Sequence, residues 1–593
     1  MKNFFGSLLG AFLGVAVVGI VIVVILISGI KSAFKDEKMQ TDVMPGSVLH
    51  LKLDAPIVER EPLNPFPKLN ALSGEQSSIG LNLILDQITK AKTDANIKGI
   101  YLDAPDVAAG MATVEEIRNA LIDFRKSGKF VVSYSEMYSQ KGYYLASVAD
   151  EVLVHPEGGL EFVGLSAEIT FYKKMLDKLE IDVQIFRHGK FKSAVEPFDL
   201  EKMSEPNRLQ TGMYVNALWQ QMLNGISQSR KIPVNDLQTM ASGLSIRSSN
   251  DAKSFGLVDA QVYSDEVSQV LTTRCSTTTA PALVALRNYQ YAAAETPEEE
   301  TDEANQGTVA VVYAVGDIES GQGDDQTIGS ARIAKAISDA RNDKSVNAIV
   351  LRINSPGGSA LASDVIWREV SLTKGKKPIV VSMGDVAASG GYYIACAADK
   401  IVAQPNTITG SIGVFGLLPN LKNMLENKIG LTHDTVNSAP HADFGSTVRA
   451  TDTLEAQVLQ QGVEDVYQTF ISRVADGRKL SLAEVDSIGQ GRVWSGVDAK
   501  RIGLVDELGG LKQAIELAAK MGKLGKKYTI KSFPTQKSPF DDFLKNAGAD
   551  ARLAAAQYEL GLLSDEYRRF LRARKLLQLR GVQARMEYEV EIR

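Results

Sequence analysis

Chemistry in this chain shows first at a serine between an apolar run and a pair of glycines. Ala387-Ala-Ser-Gly-Gly-Tyr-Tyr393 follows Ile379-Val-Val-Ser382 and opens an apolar segment from about Gly391 to Ala398. A strand feeding a helix through that turn sets the Ser389 hydroxyl beside a helix N-terminus. There the Gly390 N–H and the helix dipole can stabilise an oxyanion. A second glycine turn, Asn354-Ser-Pro-Gly-Gly-Ser359, also joins a strand to a helix, and Gly357 and Gly358 leave its backbone free to present N–H groups. It lacks the G-x-x-x-x-G-K-S/T pattern and a neighbouring lysine, so it is not a phosphate loop. Taken alone, the first motif also suits close helix packing, and the second an ordinary tight turn.

A serine nucleophile needs a base. None of the five histidines, His50, His155, His188, His433 and His441, stands in a Ser-His-Asp pattern. A lysine kept neutral by burial is the alternative, and Ser–Lys pairs are a known variant of triad chemistry.

An internal duplication shows where to look for that lysine. Shifted by 249 residues, Phe130-Val-Val-Ser-Tyr-Ser-Glu-Met-Tyr-Ser-Gln-Lys-Gly-Tyr-Tyr144 lies on Ile379–Tyr393, and Ala149-Asp150 lies on Ala398-Asp399. At nearly the same shift, Asp251-Ala-Lys-Ser-Phe-Gly-Leu-Val-Asp259 lies on Asp498-Ala-Lys-Arg-Ile-Gly-Leu-Val-Asp506. Each half serves as a control for the other. Ser389 falls on Gln140, Gly390 on Lys141, and Gly357 and Gly358 on Ala108 and Ala109, so the first half lacks the nucleophile and the glycine turn. Phe186-Arg-His-Gly-Lys-Phe-Lys-Ser-Ala-Val-Glu-Pro-Phe198 falls on Val436–Phe444, where Lys192 meets Ala442 after a one-residue insertion. The expectation is one composite site, Lys192 from the front half and Ser389 from the back half. Lys190 is a competing base, two residues away. Ser411, in Thr409-Gly-Ser-Ile-Gly-Val-Phe415, is a polar candidate to orient the lysine amine, or else a turn serine.

These residues must be held by βαβ units. Val309–Tyr313, Ala348–Ile353 and Ile379–Ser382 read as buried strands; Ile333–Arg341 and Ala360–Thr373 read as the helices between them, which argues a mostly parallel sheet. A length of 593 residues suits three or four ordinary domains or two large ones. The expected division is an anchor and juxtamembrane segment over 1–45, a first domain over 46–285, an acidic linker over 286–306 containing Glu295–Gln306, a second domain over 307–530, and a helical tail over 531–593. Phe4–Ile30 carries no charge, and its 27 residues, at roughly 1.5 Å each, outspan a hydrocarbon core of about 30 Å. That predicts one retained N-terminal transmembrane helix rather than a cleaved signal. The flanking lysines, Lys2 on one side and Lys31, Lys35 and Lys38 on the other, do not favour export of the body. The Arg-rich stretch Tyr567–Lys575 reads as a solvated amphipathic helix, or an assembly or membrane-surface contact. A net charge of −6 argues against a general nucleic-acid face. Two cysteines, Cys275 and Cys396, make no disulfide framework.

The motifs Asn-Ser-Pro-Gly-Gly, Gly-Asp-x-Ala-Ala-Ser-Gly-Gly-Tyr-Tyr, Thr-Gly-Ser-Ile-Gly-Val and Lys-Ser-Ala-x-Glu-Pro-Phe together resemble the signal peptide peptidase A family in its long, duplicated form. The resemblance covers nearly the whole chain. It implies an α/β fold of tandem Clp-protease/crotonase-like domains, with Ser389 as nucleophile, Lys192 as general base, Ser411 positioning the lysine, and Gly358 and Gly390 at the oxyanion hole. It further implies a homotetrameric bowl with apolar grooves for extended peptides such as remnant signal peptides. The bowl would sit on the bacterial inner membrane with its catalytic body outside the cytoplasm. No metal or organic cofactor is expected, and no H-E-x-x-H motif occurs. Two rival readings are a crotonase-like acyl-CoA enzyme and an inactive membrane scaffold.

Overall fold

A computed structural model describes residues 43–62, 78–292, 307–525, 527–536, 582–586 and 591–592. The expected anchor over Phe4–Ile30, the acidic stretch Glu295–Gln306 and the Arg-rich stretch Tyr567–Lys575 lie outside these residues. Among the described residues no helix is long and apolar enough to cross a membrane.

Two sheets, the first parallel and the second mostly so, carry the two halves. The first has the strand order Leu283–Ala285, Ser47–Lys52, Ile97–Asp103, Phe130–Tyr138, Glu151–Leu160, Ala260–Gln261, every pair parallel. The second repeats that order with Thr529–Phe533, Thr308–Val315, Val346–Ser355, Ile379–Ala388, Lys400–Ala403 and Glu507–Leu508. Its central strands are buried on both faces, which is why they read as continuous apolar runs rather than alternating ones.

The repeated stretches recur because they do the same work twice. The Tyr143 hydroxyl donates to the Leu257 carbonyl at 2.8 Å, and that of Tyr392 to the Leu504 carbonyl at 2.9 Å. Asp150 accepts from Val131 N–H, as Asp399 does from Ile379 N–H. Asp259 accepts from Val152 N–H and pairs with Arg230; Asp506 accepts from Ile401 N–H and pairs with Arg478. A buried tyrosine hydroxyl needs such a partner, since an unmet polar group costs about 1–3 kcal/mol.

Sequence-based strands and helices are found close to their expected places: Thr308–Val315, Val346–Ser355 and Ile379–Ala388 are strands, and Ser330–Asn342 and Ala360–Thr373 are helices. Three expectations need correction. The linker expected from residue 286 begins later, because Leu286–Tyr289 is helical with Leu286 and Tyr289 buried, and the Tyr289 hydroxyl donates to Asp94 at 2.7 Å. The helical tail expected from 531 gives way to strand Thr529–Phe533, which pairs with Thr308–Val312 and completes the second sheet. Gln583–Arg585, also expected to be helical, is a strand.

The halves interlock through charge. Arg352, fully buried in the second sheet, holds Glu59 and Glu116 of the first half at 2.8 and 2.7 Å. Asp385 accepts from the backbone and hydroxyl of Thr113 at 2.9 and 2.6 Å and so caps the N-terminus of the first-half helix Met111–Arg125. A third sheet, in the order Thr327–Gly329, Asp317–Glu319, Gly357–Ser359, Gln583–Arg585, Val414–Asn420, Asp182–His188, crosses the same boundary. In it Asp182–His188 of the first half runs antiparallel to Val414–Asn420, His188 facing Val414.

Candidate active site

The last pairing delivers the lysine. Just past His188 the chain turns: Gly189 has φ +97°, and its carbonyl accepts from Lys192 N–H at 3.2 Å. The turn is pinned to the second half by Phe191 N–H donating to Gln490 O at 2.9 Å. Gln210 supports it from below, donating to Phe191 O at 3.0 Å and Ser193 Oγ at 2.9 Å. A side chain at Gly491 would stand 2.6 Å from Lys192 Cβ, so only glycine allows this approach. Lys190 falls on the outer side of the turn, exposed, with its amine over the Phe191 ring. The two lysines therefore do not share a face as a strand would have them do.

The elbow at Ser389 is tighter than its glycines suggest. Strand Ile379–Ala388 ends at Ala388 and helix Gly390–Ala395 begins at Gly390, leaving Ser389 as the whole turn. Its φ of +53° is unusual for a residue with a side chain, and such strain costs about 1–3 kcal/mol. Ser411, at φ +48°, repeats the feature. Both are held by backbone bonds: Ser389 N–H to Gly410 O at 2.8 Å, and Ser411 N–H to Arg492 O at 2.7 Å.

Lys192, Ser389 and Ser411 meet, each fully buried. Lys192 Nζ donates to Ser389 Oγ at 3.0 Å, Ser411 Oγ at 2.9 Å and Ser411 O at 3.3 Å. Ser389 Oγ also reaches Gly413 O at 3.3 Å. The contact forms within one chain. The described histidines are engaged elsewhere or exposed: His188 stacks on Tyr467 beside Glu464, His441 lies against Asp452 and Glu455, His50 stacks on Tyr101, His155 meets Tyr263 edge-on, and His433 is exposed.

The second glycine turn stands against this elbow. Gly357, at φ +101°, leads into the short strand Gly357–Ser359, and Ser359 caps helix Ala360–Thr373 by accepting from Ala362 N–H at 3.3 Å. A Cβ built on Gly390 would lie 3.1 Å from Gly358 N, and one on Gly357 would lie 2.7 Å from Gly390 N. The Gly358 and Gly390 nitrogens thus crowd one spot next to Ser389, where backbone donors could receive a developing negative charge.

Among the described residues the first half has no such site. At the place of Ser389, Gln140 donates to Gly164 O at 2.8 Å and accepts from Val163 and Gly164 N–H. At the place of the glycine turn, the Lys141 amine donates to Ala109 O. Sequence comparison of the halves found the lysine, the serine and the glycines. It missed Gln210, Gly413 and Gly491, although the run Gly489-Gln-Gly-Arg492 before a strand marks a backbone that something approaches closely.

Comparison with known proteins agrees with this layout. The model of peptidase family S49 matches residues 123–277 and 371–525, one match in each half, and the model of Clp protease matches 305–409. Protease 4 of Salmonella typhi is 40% identical over 74% of this chain and 72% of its own. Protease 4 of Haemophilus influenzae is 33% identical over 91% of this chain and 92% of its own. The chloroplastic serine protease SPPA of Arabidopsis thaliana is 32% identical over 86% of this chain and 74% of its own. With two S49 domains in tandem and relatives of this likeness along most of its length, the chain belongs to peptidase family S49 and is a serine peptidase of the long, duplicated SppA form.

Proposed function

We propose that this serine peptidase works through a Ser–Lys dyad split between its halves. The observation that carries this reading is the buried contact of Lys192 Nζ with Ser389 Oγ and Ser411 Oγ. Removing an amine from water disfavours its charged form, which suits a lysine to act as a base. Neutral Lys192 takes the Ser389 proton as the hydroxyl attacks a peptide carbonyl. Ser411 holds the amine in line. The tetrahedral oxyanion lies against the N–H groups of Gly358 and Gly390. Lys192 then passes its proton to the leaving amine, and the same lysine activates the water that opens the acyl-enzyme.

The substrates in this reading are apolar peptides bound as an added strand, signal-peptide remnants among them. The first half supplies the lysine and the second half the serine. Phe4–Ile30 tethers the body to the bacterial inner membrane as a single span, with the catalytic body outside the cytoplasm and the chains assembled as a homotetramer. The charge-free run of 27 residues supports the tether.

Labelling with a fluorophosphonate tests the dyad. The adduct should map to Ser389 and be lost in Lys192→Ala, whose serine is no longer activated. An adduct on another serine, or undiminished labelling of Lys192→Ala, would refute the reading.

A further inference from the structure

The two strands that deliver the glycine turns lose their regular pairing just before the site. Val346–Ser355 and Ile379–Ala388 run in register up to Ile353 and Met383, and the next pair is Ser355 with Ala387. Asn354 on the first strand therefore stands against Gly384-Asp385-Val386 on the second. Such a bulge interrupts the ladder that would otherwise fix one strand end against the other.

The Asn354 side chain bridges the interruption. Its Oδ1 accepts from Val386 N–H at 3.1 Å, and its Nδ2 donates to Glu59 Oε1 at 2.9 Å. A carboxylate only accepts, so Glu59 takes the Nδ2 end of the amide and turns Oδ1 toward the strand. Glu59 comes from the first half, is buried, and is itself gripped by Arg352. A side chain at Gly384 would meet Glu59 Oε1 at 2.4 Å and Asn354 Cβ at 3.1 Å, so glycine there leaves room for the pair.

Each end of this bridge leads to one of the N–H groups assigned above to the oxyanion. Gly358 is four residues past Asn354, and Gly390 is four residues past Val386. The chain between has little slack. Gly357 N–H donates to Ser355 Oγ at 3.1 Å, and a Cβ on Gly391 would lie 2.8 Å from Ser355 O.

The first half supplies the comparison. At the shift of 249 residues Asn354 falls on Pro105 and Val386 on Met137. Proline has no side-chain acceptor, and Met137 N–H turns instead to Ser135 Oγ of its own strand at 3.2 Å. The half without the serine and the glycine turn is also without the bridge.

We propose that Asn354, oriented by Glu59 of the first half, is a positioning residue that sets the spacing of the Gly358 and Gly390 N–H groups; this rests on the reading of Ser389 as nucleophile and of those two groups as its oxyanion hole. The front half then lends the back half a carboxylate that steadies the oxyanion donors, besides the lysine amine. Asn354 touches no reacting atom in this scheme and acts through the two strand ends.

Steady-state kinetics of full-length Asn354→Leu on a fluorogenic peptide, with a melting curve and with fluorophosphonate labelling of the native chain, tests this. Leucine keeps the size and removes both hydrogen bonds. The loss should fall on kcat, about 10²-fold, the scale of a small misplacement of a catalytic group, with KM little changed. A folded Asn354→Leu with native kcat, or with its loss in KM alone, overturns the role of Asn354 and leaves the peptidase reading standing if the native chain labels at Ser389. A native chain that does not label at Ser389 overturns both. A second pair of variants decides the matter even where Asn354→Leu fails to fold. At about pH 8, above the carboxylate range, Asn354→Asp sets a second carboxylate against Glu59 and should also lower kcat. Adding Glu59→Gln restores a donor and an acceptor with their roles exchanged, and should recover at least about 10-fold in kcat. Equal kcat in that single and double variant overturns the proposal.

Discussion

Lys192 Nζ lies 3.0 Å from Ser389 Oγ although 197 residues separate them in the chain. What brings them together is backbone rather than their own contact. Strand Asp182–His188 leaves its own half, pairs with Val414–Asn420 of the other, and releases the lysine turn against Gln490–Arg492. The site is therefore only as good as that crossing.

Gly491 is the tightest point of the crossing. Its φ is +79°, and a Cβ there would press on Lys192 N, Cα and Cβ at 2.6–2.7 Å. Gly491→Val should lower peptide turnover at least about 10-fold, since small misplacements of a catalytic group cost that much or more. Far-UV circular dichroism should be unchanged. Full turnover by a folded Gly491→Val would show that the lysine turn tolerates displacement.

Arg352 should matter to stability more than any exposed ion pair. Burial pushes the Glu59 carboxyl up while Arg352 pulls it back down, and Glu116 shares the same guanidinium. Arg352→Met leaves two buried carboxylates uncompensated and should cost about 3–5 kcal/mol, read by urea denaturation. The triple variant with Glu59→Gln and Glu116→Gln should recover part of that loss.

The two thiols should differ in reactivity. Burial pushes the Cys396 thiol up to about 12, and the side chain is fully enclosed. Cys275 is half-buried, and its thiol is also raised by burial. Because the thiolate is the reacting form, iodoacetamide near pH 8 should modify Cys275 slowly and leave Cys396 untouched until denaturant is added. Native modification of Cys396 would contradict its enclosure.

Acid should loosen the segment around Arg449. Hydrogen bonds from Arg449 hold the Asp443 and Glu455 carboxyls at about 2, below their unfolded values. Carboxyls held low in the folded state contribute stability above their unfolded range near pH 4–4.5, and lose it as pH falls toward 2. The gap in melting temperature between the native chain and Arg449→Ala should be widest near neutral pH and close progressively below about pH 4. A gap that widens in acid would reverse the sign of this linkage.

Much of this was legible in the sequence for identifiable reasons. Continuous apolar runs marked the parallel strands, and the repeated Tyr-Tyr and Gly-Leu-Val-Asp stretches marked two copies of one packing scheme, whose tyrosine hydroxyls and leucine carbonyls meet in the fold. Lys192 and Ser389 stood out because each half lacks what the other holds. The lysine turn's support was hidden, since Gln210 and Gly491 act through backbone approach and carry no chemistry of their own. The tail misled: Arg-rich, helix-favouring composition dominates it, and Gln583–Arg585 becomes a strand only because two distant strand edges await a partner, a tertiary effect that local propensity does not encode.

The proposed chemistry has an amine from the front half activate an alcohol from the back half. Its most direct test is the turnover of a fluorogenic peptide by Lys192→Ala and by Ser389→Ala, each with a melting curve. Both should lose at least about 10³-fold in kcat, as when a member of a nucleophile–base pair is removed, while keeping a cooperative melt. A folded Lys192→Ala that retains more than about a tenth of the native kcat would contradict the account, because removing a general base should cost 10²-fold or more.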